Sequence, residues 1–304
     1  MVLSMRALSS TAAVLFLGAG MMAQDGSIPR DGFTLYYTTQ GSGKRNIFLS
    51  GGPRLDNYLQ PAAEVFPAGY QRVFLEQRGT GRSRPAKLTP ENLSLRLMVE
   101  DLEALRNDLK LERLLLFGHS WGGMLAMAYA SSHPDKVDKL ILMSSGGPTL
   151  ESDRWFSDNI EALLHSEDLE ARQYWIDAAK HGVDADTAAL GRVRAVTPGY
   201  FFDRAKGLAF AAGIPKGALH SDAGSLMNAD LRKSYDLRDG LRRVEQPVLI
   251  IQCHQDPIGD KTAEDIHASI RSSTIQYLDR CGHFPWIEQP DKMRAVVAEF
   301  LSAN

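Results

Sequence analysis

The chain has 304 residues, 44% of them hydrophobic, with a formal net charge of -3 and a pI near 6.3. That length fills one large domain, or one core carrying an inserted layer. Lys and Arg are spread evenly and form no basic stripe, which argues against nucleic acid as a partner.

The first residues, MVLSMRALSSTAAVLFLGAGMMAQDG, place one cation, Arg6, ahead of an apolar run centred on Ala12 to Leu17 and small residues from Gly18 to Ala23. This is the layout of a secretory signal peptide over residues 1–23, cleaved between Gly20 and Gln24. The run is too short and interrupted to span a bilayer as a mature helix, and no cysteine precedes Cys253, so no lipidated cysteine follows cleavage. A frayed N-terminal helix is the alternative. The expectation is an exported protein, periplasmic or secreted, without a stable membrane anchor after cleavage.

From residue 33, short β-rich runs alternate with longer amphipathic ones, which predicts a mostly parallel sheet with helices on both faces. FTLYYTTQG reads as an early strand and GSGK, Gly41 to Lys44, as a tight turn; it lacks the spacing and following helix of a phosphate loop. NIFLSGGP, RVFLEQRG, RLLLFGHS and KVDKLILMSSGG read as strands running into loops. Residues 148–243 break the alternation: they are rich in Trp, Tyr, Phe, Ala and charge, poor in β-branched runs, and punctuated by Gly182, Pro198 and Pro215. They read as helices. The sheet resumes with PVLIIQCHQD and STIQYLDRCGH, so the helical stretch is an inserted cap on a core of residues 28–147 and 244–304. Caps over the C-terminal ends of strands commonly form substrate pockets.

GHSWGG, residues 118–123, stands between the apolar run RLLLF and a good helix former closed before Pro134. A Gly-x-Ser-x-Gly pattern alone is weak, but a strand-turn-helix context gives it physical meaning: the turn strains Ser120, and side chains at 118 and 122 would collide with neighbouring backbone. A serine hydroxyl needs a base to take its proton, and the base needs an orienting acid. Asp256 follows one later strand and His283 the next, so all three fall at one edge of the sheet in the order Ser, Asp, His. Taken singly, Asp256 reads as an Asp-Pro turn former and His283 as a hydrogen-bonded loop histidine. Asp260 is the reserve acid and otherwise the N-cap of KTAEDIHASIR. For the developing oxyanion, one backbone donor is expected at Trp121, after the nucleophile, and the second at Gly52 in the loop after NIFLS.

With these residues in place, the chain resembles the α/β-hydrolase superfamily from about residue 30 onward, and most of all its prolyl iminopeptidase branch. SGGPR at 50–54, EQRGTGRS at 76–83, GHSWGG at 118–123 and GHFPW at 282–286 carry the likeness. The resemblance implies an α/β-hydrolase fold and hydrolysis of an N-terminal residue, typically proline, from small peptides or amides, with no metal and no cofactor. The substrate is then a small molecule or short peptide. Three positions depart from the branch: Ser50 for His, Arg54 for Gly and Glu76 for Asp. Arg54 reads as a ligand for a substrate carboxylate or as a solvated loop arginine. Family aminopeptidases hold the substrate amine with cap carboxylates, for which Glu151, Asp153, Asp158, Glu161 and Asp203 are available; none matches a family motif position. Trp155, Tyr174, Trp175, Tyr200, Phe201 and Phe202 are candidates to line the pocket, Trp155 foremost, or to form the core of the cap.

Cys253 and Cys281 lie on strands that are neighbours in such a fold, three residues before Asp256 and two before His283. In an oxidising compartment they would form a disulfide tying acid loop to base loop; buried free thiols are the alternative. A metal cluster with His254 and His283 fails, because His283 is needed as base and the ligand spacing is absent. Rival functions are a carboxylic ester or lactone hydrolase with the same machinery, and a binding protein that keeps the fold without the chemistry. Epoxide and haloalkane chemistry is disfavoured, since those relatives carry Asp at the position of Ser120.

Overall fold

A computed structural model describes residues 23–303 of the chain; the expected leader lies outside the described residues except for Ala23. Eight strands form one sheet: β1 (Gln24–Arg30), β2 (Phe33–Gln40), β3 (Lys44–Leu49), β4 (Tyr70–Leu75), β5 (Leu114–His119), β6 (Val137–Met143), β7 (Val248–Cys253) and β8 (Ser273–Leu278). Their spatial order is β1-β2-β4-β3-β5-β6-β7-β8. β1 and β2 pair antiparallel, β2 pairs antiparallel with β4, and every other pairing is parallel. Since β1 begins at Gln24, the core starts four residues earlier than the expected Ile28, because Gln24 to Ser27 pair with Tyr36 to Thr39 of β2.

The central strands are continuous apolar runs because both faces of the sheet are covered. Their side chains sort by period two. Leu114, Leu116, Leu140, Leu142, Val248 and Ile250 face one core, while Phe117, Ile141, Met143, Leu249 and Ile251 face another on the opposite side. Helices cover both faces: α1 (Gln60–Ala63), α2 (Leu95–Asp108) and α3 (Trp121–Ser132) before the insertion, and α10 (Asp260–Ser269), α11 (Pro285–Glu288) and α12 (Pro290–Ser302) after it. The strand ends that matter are those of β3, β5, β7 and β8, all parallel and all pointing their C-termini to one edge.

The insertion is helical, with α4 (Asp153–Ala162), α5 (Ser166–Lys180), α6 (Ala185–Val196), α7 (Arg204–Gly213), α8 (Ser221–Ser234) and α9 (Arg238–Leu241). Gly182 after α5 has φ +91°, the left-handed stop its position predicts. Pro198 lies in a 3-10 turn, Thr197–Tyr200. The insertion is not uniform: Ala223, Met227 and Leu231 of α8 and Leu241 of α9 belong to the main core, so α8 and α9 flank the sheet while α4 to α7 stand over its edge. No helix among the described residues is long and apolar enough to cross a membrane.

Candidate active site

The chain turns from β5 into α3 at Ser120, which has φ 55° and ψ -119°, a strained conformation for a residue with a side chain. Its amide donates to Met143 O at 3.1 Å, and its carbonyl accepts from Gly123 at 3.0 Å and Gly146 at 3.2 Å. The flanking glycines are steric necessities. A Cβ at 118 would lie 2.4 Å from Gly122 O, and one at 122 would lie 2.0 Å from Leu49 O at the end of β3. Close packing of α3, β5 and β3 therefore places Ser120 at the sheet edge, where it lines the cavity described below.

The loop after β7 carries Asp256 and the loop after β8 carries His283, which are 4% and 3% exposed. His283 Nδ1 lies 3.0 and 3.1 Å from the two Asp256 carboxylate oxygens. A carboxylate only accepts, so Nδ1 holds the proton and Nε2 of the neutral ring is left as an acceptor. Asp256 Oδ1 also accepts from the Ile258 amide at 2.9 Å, which fixes the carboxylate within its turn. Among the described residues no hydrogen bond joins the Ser120 hydroxyl to the His283 ring, though both line one cavity. The sulfurs of Cys253 and Cys281 are bonded, with Cα atoms 5.4 Å apart, and the amide of Gln255 donates to Cys281 O at 3.3 Å. Acid loop and base loop are thus covalently tied. Among the described residues no group of His, Cys, Asp and Glu is arranged to hold a metal ion.

Asp260 does not cap α10. Gly259 occupies the N-cap position and Asp260 is the first helical residue, its carboxylate 2.6 Å from His254 Nδ1 at the surface. The contact with His254 engages the Asp260 carboxylate, and it is Asp256 that meets His283.

The loop after β3 brings Gly52, at φ +60°, to Ser120. Gly51 is closer still: a Cβ there would lie 2.8 Å from Ser120 Cβ. The Gly51 amide donates to Tyr58 Oη at 2.9 Å. The amides of Gly52 and Trp121 engage no protein acceptor among the described residues. Trp121 Nε1 donates to Gln77 Oε1 at 2.9 Å, and Gln77 Nε2 donates to Ser50 O at 2.9 Å, so the indole braces this loop from below.

Ser120, Trp121, Gly52, Arg54 and His283 line one cavity of about 380 Å³ beneath the cap, with Tyr58, Asp153, Phe156, Tyr200 and Phe284. Trp155 is not among its lining residues. Its indole donates to Ile258 O at 2.8 Å, docking α4 on the acid loop, and the adjacent Phe156 faces the cavity instead. Tyr174 is exposed, Trp175 packs on Gly191 and Phe201 is buried, so of the aromatic candidates only Tyr200 reaches the cavity. Among the five cap acids only Asp153 does; Glu161 pairs with Arg172, and Asp203 caps α7. Partial burial raises the pKa of Asp153 above the ordinary carboxylate value, with Arg232 opposing. Arg54 has no hydrogen-bond or ion-pair partner for its guanidinium among the described residues, while its carbonyl accepts from the His220 amide at 2.7 Å and its stem lies against Gly224 of α8.

Three residues have roles in this geometry that spacing does not reveal. His119, directly before Ser120, is fully buried between Tyr58 and the base loop. Glu288, 9% exposed, accepts from the amides of Gly282 at 2.6 Å and Asp203 at 2.7 Å, joining base loop to cap. Tyr200 O accepts from the His283 amide at 2.7 Å. The sequence signal for the first two was their place, His119 inside GHSWGG and Glu288 two residues beyond GHFPW.

Comparison with known proteins agrees with this architecture. Residues 47–290 match the family model described as alpha/beta hydrolase fold. A proline iminopeptidase of Lactobacillus helveticus is 27% identical over 311 residues, covering 92% of this chain and 98% of its own. Among solved structures, an alpha/beta fold family hydrolase from Bacillus anthracis superposes with a TM-score of 0.71 at 21% identity, covering 92% of this chain and 99% of its own. The enol-lactonase of Burkholderia xenovorans does so with a TM-score of 0.70 at 19% identity, covering 91% and 100%. The chain belongs to the α/β-hydrolase family and is a hydrolase of serine type by that family, similar to proline iminopeptidases.

Proposed function

We propose that the protein is a serine hydrolase that works through an acyl-enzyme and releases an N-terminal residue, proline foremost, from small peptides or amides. The observation that carries this reading is the convergence of Ser120 and the Asp256-His283 pair on one cavity. As the Ser120 oxygen bonds to the substrate carbonyl carbon, its proton passes to His283 Nε2, Asp256 holds the resulting imidazolium, and the carbonyl oxygen takes the displaced electron pair. The uncommitted amides of Gly52 and Trp121 support their assignment as donors to that oxyanion. His283 then gives its proton to the leaving amine as the C–N bond breaks. Water, deprotonated by the same ring, cleaves the acyl-enzyme and regenerates Ser120.

Proteins named proline iminopeptidase, similar over nine-tenths of the chain, support the aminopeptidase reading. Asp153 fits the substrate ammonium, and Arg54 fits a carboxylate on the leaving side. Hydrolysis of aminoacyl arylamides, abolished in Ser120→Ala by about six orders of magnitude in turnover, is the expected result. A preference for aryl esters with no need of a free amine would make the protein an esterase or lactonase instead. Failure of a fluorophosphonate to label Ser120 would leave a binding protein on a hydrolase fold.

Export is part of the proposal. The leader layout of residues 1–23 supports it, as does a bonded cysteine pair. N-terminal sequencing of the protein from its host should find the mature chain starting between residues 21 and 24. An intact Met1 would overturn it.

A further inference from the structure

Tyr58 and His119 take no part in the chemistry above, yet their polar atoms lie between the Gly51-Gly52 loop and the His283 loop. The Gly51 amide donates to Tyr58 Oη at 2.9 Å, Tyr58 Oη lies 2.7 Å from His119 Nδ1, and His119 Nε2 lies 2.8 Å from the His283 carbonyl oxygen. The proton positions follow from the atoms themselves. A carbonyl only accepts, so His119 Nε2 bears a hydrogen. Nδ1 of the neutral ring then accepts, Tyr58 donates to it, and the Tyr58 oxygen is left to take the Gly51 hydrogen. Every polar atom of the chain of bonds is satisfied in a single order.

The ring has no room to turn. His119 is 0% exposed and packs at centroid distances of 4.6 Å from His283, 4.9 Å from Trp286 and 5.4 Å from Phe284. Burial, with His283 adjacent, holds its pKa well below the ordinary histidine value, so it stays neutral where His283 must charge. Tyr58 faces the cavity, but its one proton is committed to His119 and it is not a second oxyanion donor.

We propose that Tyr58 and His119 act as one positioning unit, a hydrogen-bonded strut from the Gly51-Gly52 loop to the His283 loop that sets the distance between oxyanion donors and base across Ser120. Ser120 is tied to the strut by sequence, since His119 is its neighbour. This inference rests on the serine hydrolase reading. It assigns neither residue to the reacting atoms.

The test measures steady-state kinetics on an arylamide or aryl ester, fluorophosphonate labelling rates and melting temperatures in Tyr58→Phe, His119→Leu, their double variant, His119→Gln and Ser120→Ala. Misplacing a base or oxyanion donor by about 1 Å costs on the order of 10²-fold, so Tyr58→Phe and His119→Leu should each lower kcat and the labelling rate by about that factor with KM within about twofold. The double variant should be no more than about threefold worse than the poorer single one, because the two act as a unit. A glutamine side chain can accept from Tyr58 through its carbonyl and donate to the His283 carbonyl through its amide, so His119→Gln should recover to within about tenfold of the wild type. Wild-type kcat in Tyr58→Phe, additive losses, or His119→Gln as poor as His119→Leu would overturn the strut. Should His119→Leu fail to fold, Tyr58→Phe and His119→Gln decide alone. Activity in Ser120→Ala would instead overturn the hydrolase reading itself, a separate outcome.

Discussion

At the scale of residues, burial decides which groups hold charge. His119 is enclosed and its pKa is depressed, whereas an unfolded chain protonates the same ring near pH 6.5. Below that pH the unfolded state binds a proton that the folded state refuses, so stability falls as pH falls, by up to roughly 1.4 kcal/mol per pH unit until the folded ring titrates. Denaturant melts between pH 7 and 5 should show this slope in the wild type and a shallower one in His119→Gln. Asp153 has the opposite character for a carboxylic acid: its pKa is raised, so it begins to protonate at a higher pH than an ordinary Asp. If it holds a substrate ammonium, KM for a free-amine substrate should climb on acidification while KM for a neutral ester stays level. Asp153→Asn should raise the former roughly tenfold, the scale of a charge-assisted hydrogen bond, and remove the difference. His119 and Asp153 also mark the reach of sequence reading. Asp153 appeared only as one of five acids, and His119 as the end of a strand, because its partner Tyr58 is 61 residues away.

Among elements, the loops at the C-terminal ends of β3, β5, β7 and β8 are linked in series beside the cavity, through Tyr58 and His119 from β3 to β8 and through the Asp256-His283 pair and the disulfide from β8 to β7. A Cβ on Gly282 would lie 2.2 Å from Tyr200 O, the atom that accepts the His283 amide. Gly282→Ala must therefore push the cap turn Thr197–Tyr200 off the base loop. The expected cost is about 1–3 kcal/mol of stability together with a fall in kcat, read by melting and kinetics; wild-type values in both would show that the turn yields freely. The disulfide acts on the same loops from behind. It closes 28 residues, for which loop entropy predicts about 3–4 kcal/mol, so Cys253→Ser with Cys281→Ser should lower urea stability by about that much. Trp155 and Asp260 show why local rules stop here. Helical spacing puts Trp155 and Phe156 one residue apart, about 100° around α4. Which of them meets the acid loop and which meets the cavity depends on how α4 is rotated against the core.

For the whole molecule, the insertion both encloses and braces. α8 and α9 are built into the main core, while α4 docks through Trp155 on Ile258 O and the turn before α7 through Glu288. The cap is pinned to the acid and base loops at separate points, so the cavity and the Asp256-His283 pair are one mechanical assembly. Continuous apolar strands, a helical insertion and the order Ser, Asp, His were enough to derive the layered fold and to bring Ser120, Asp256 and His283 to one edge of its sheet, because strand periodicity and chain order are local properties that parallel pairing preserves. The cavity lining, the satisfied order of hydrogen bonds through Tyr58 and His119, and the replacement of Trp155 by Phe156 were settled only in three dimensions. Each depends on contacts between residues tens to more than a hundred positions apart, whose rotation and register no single segment encodes.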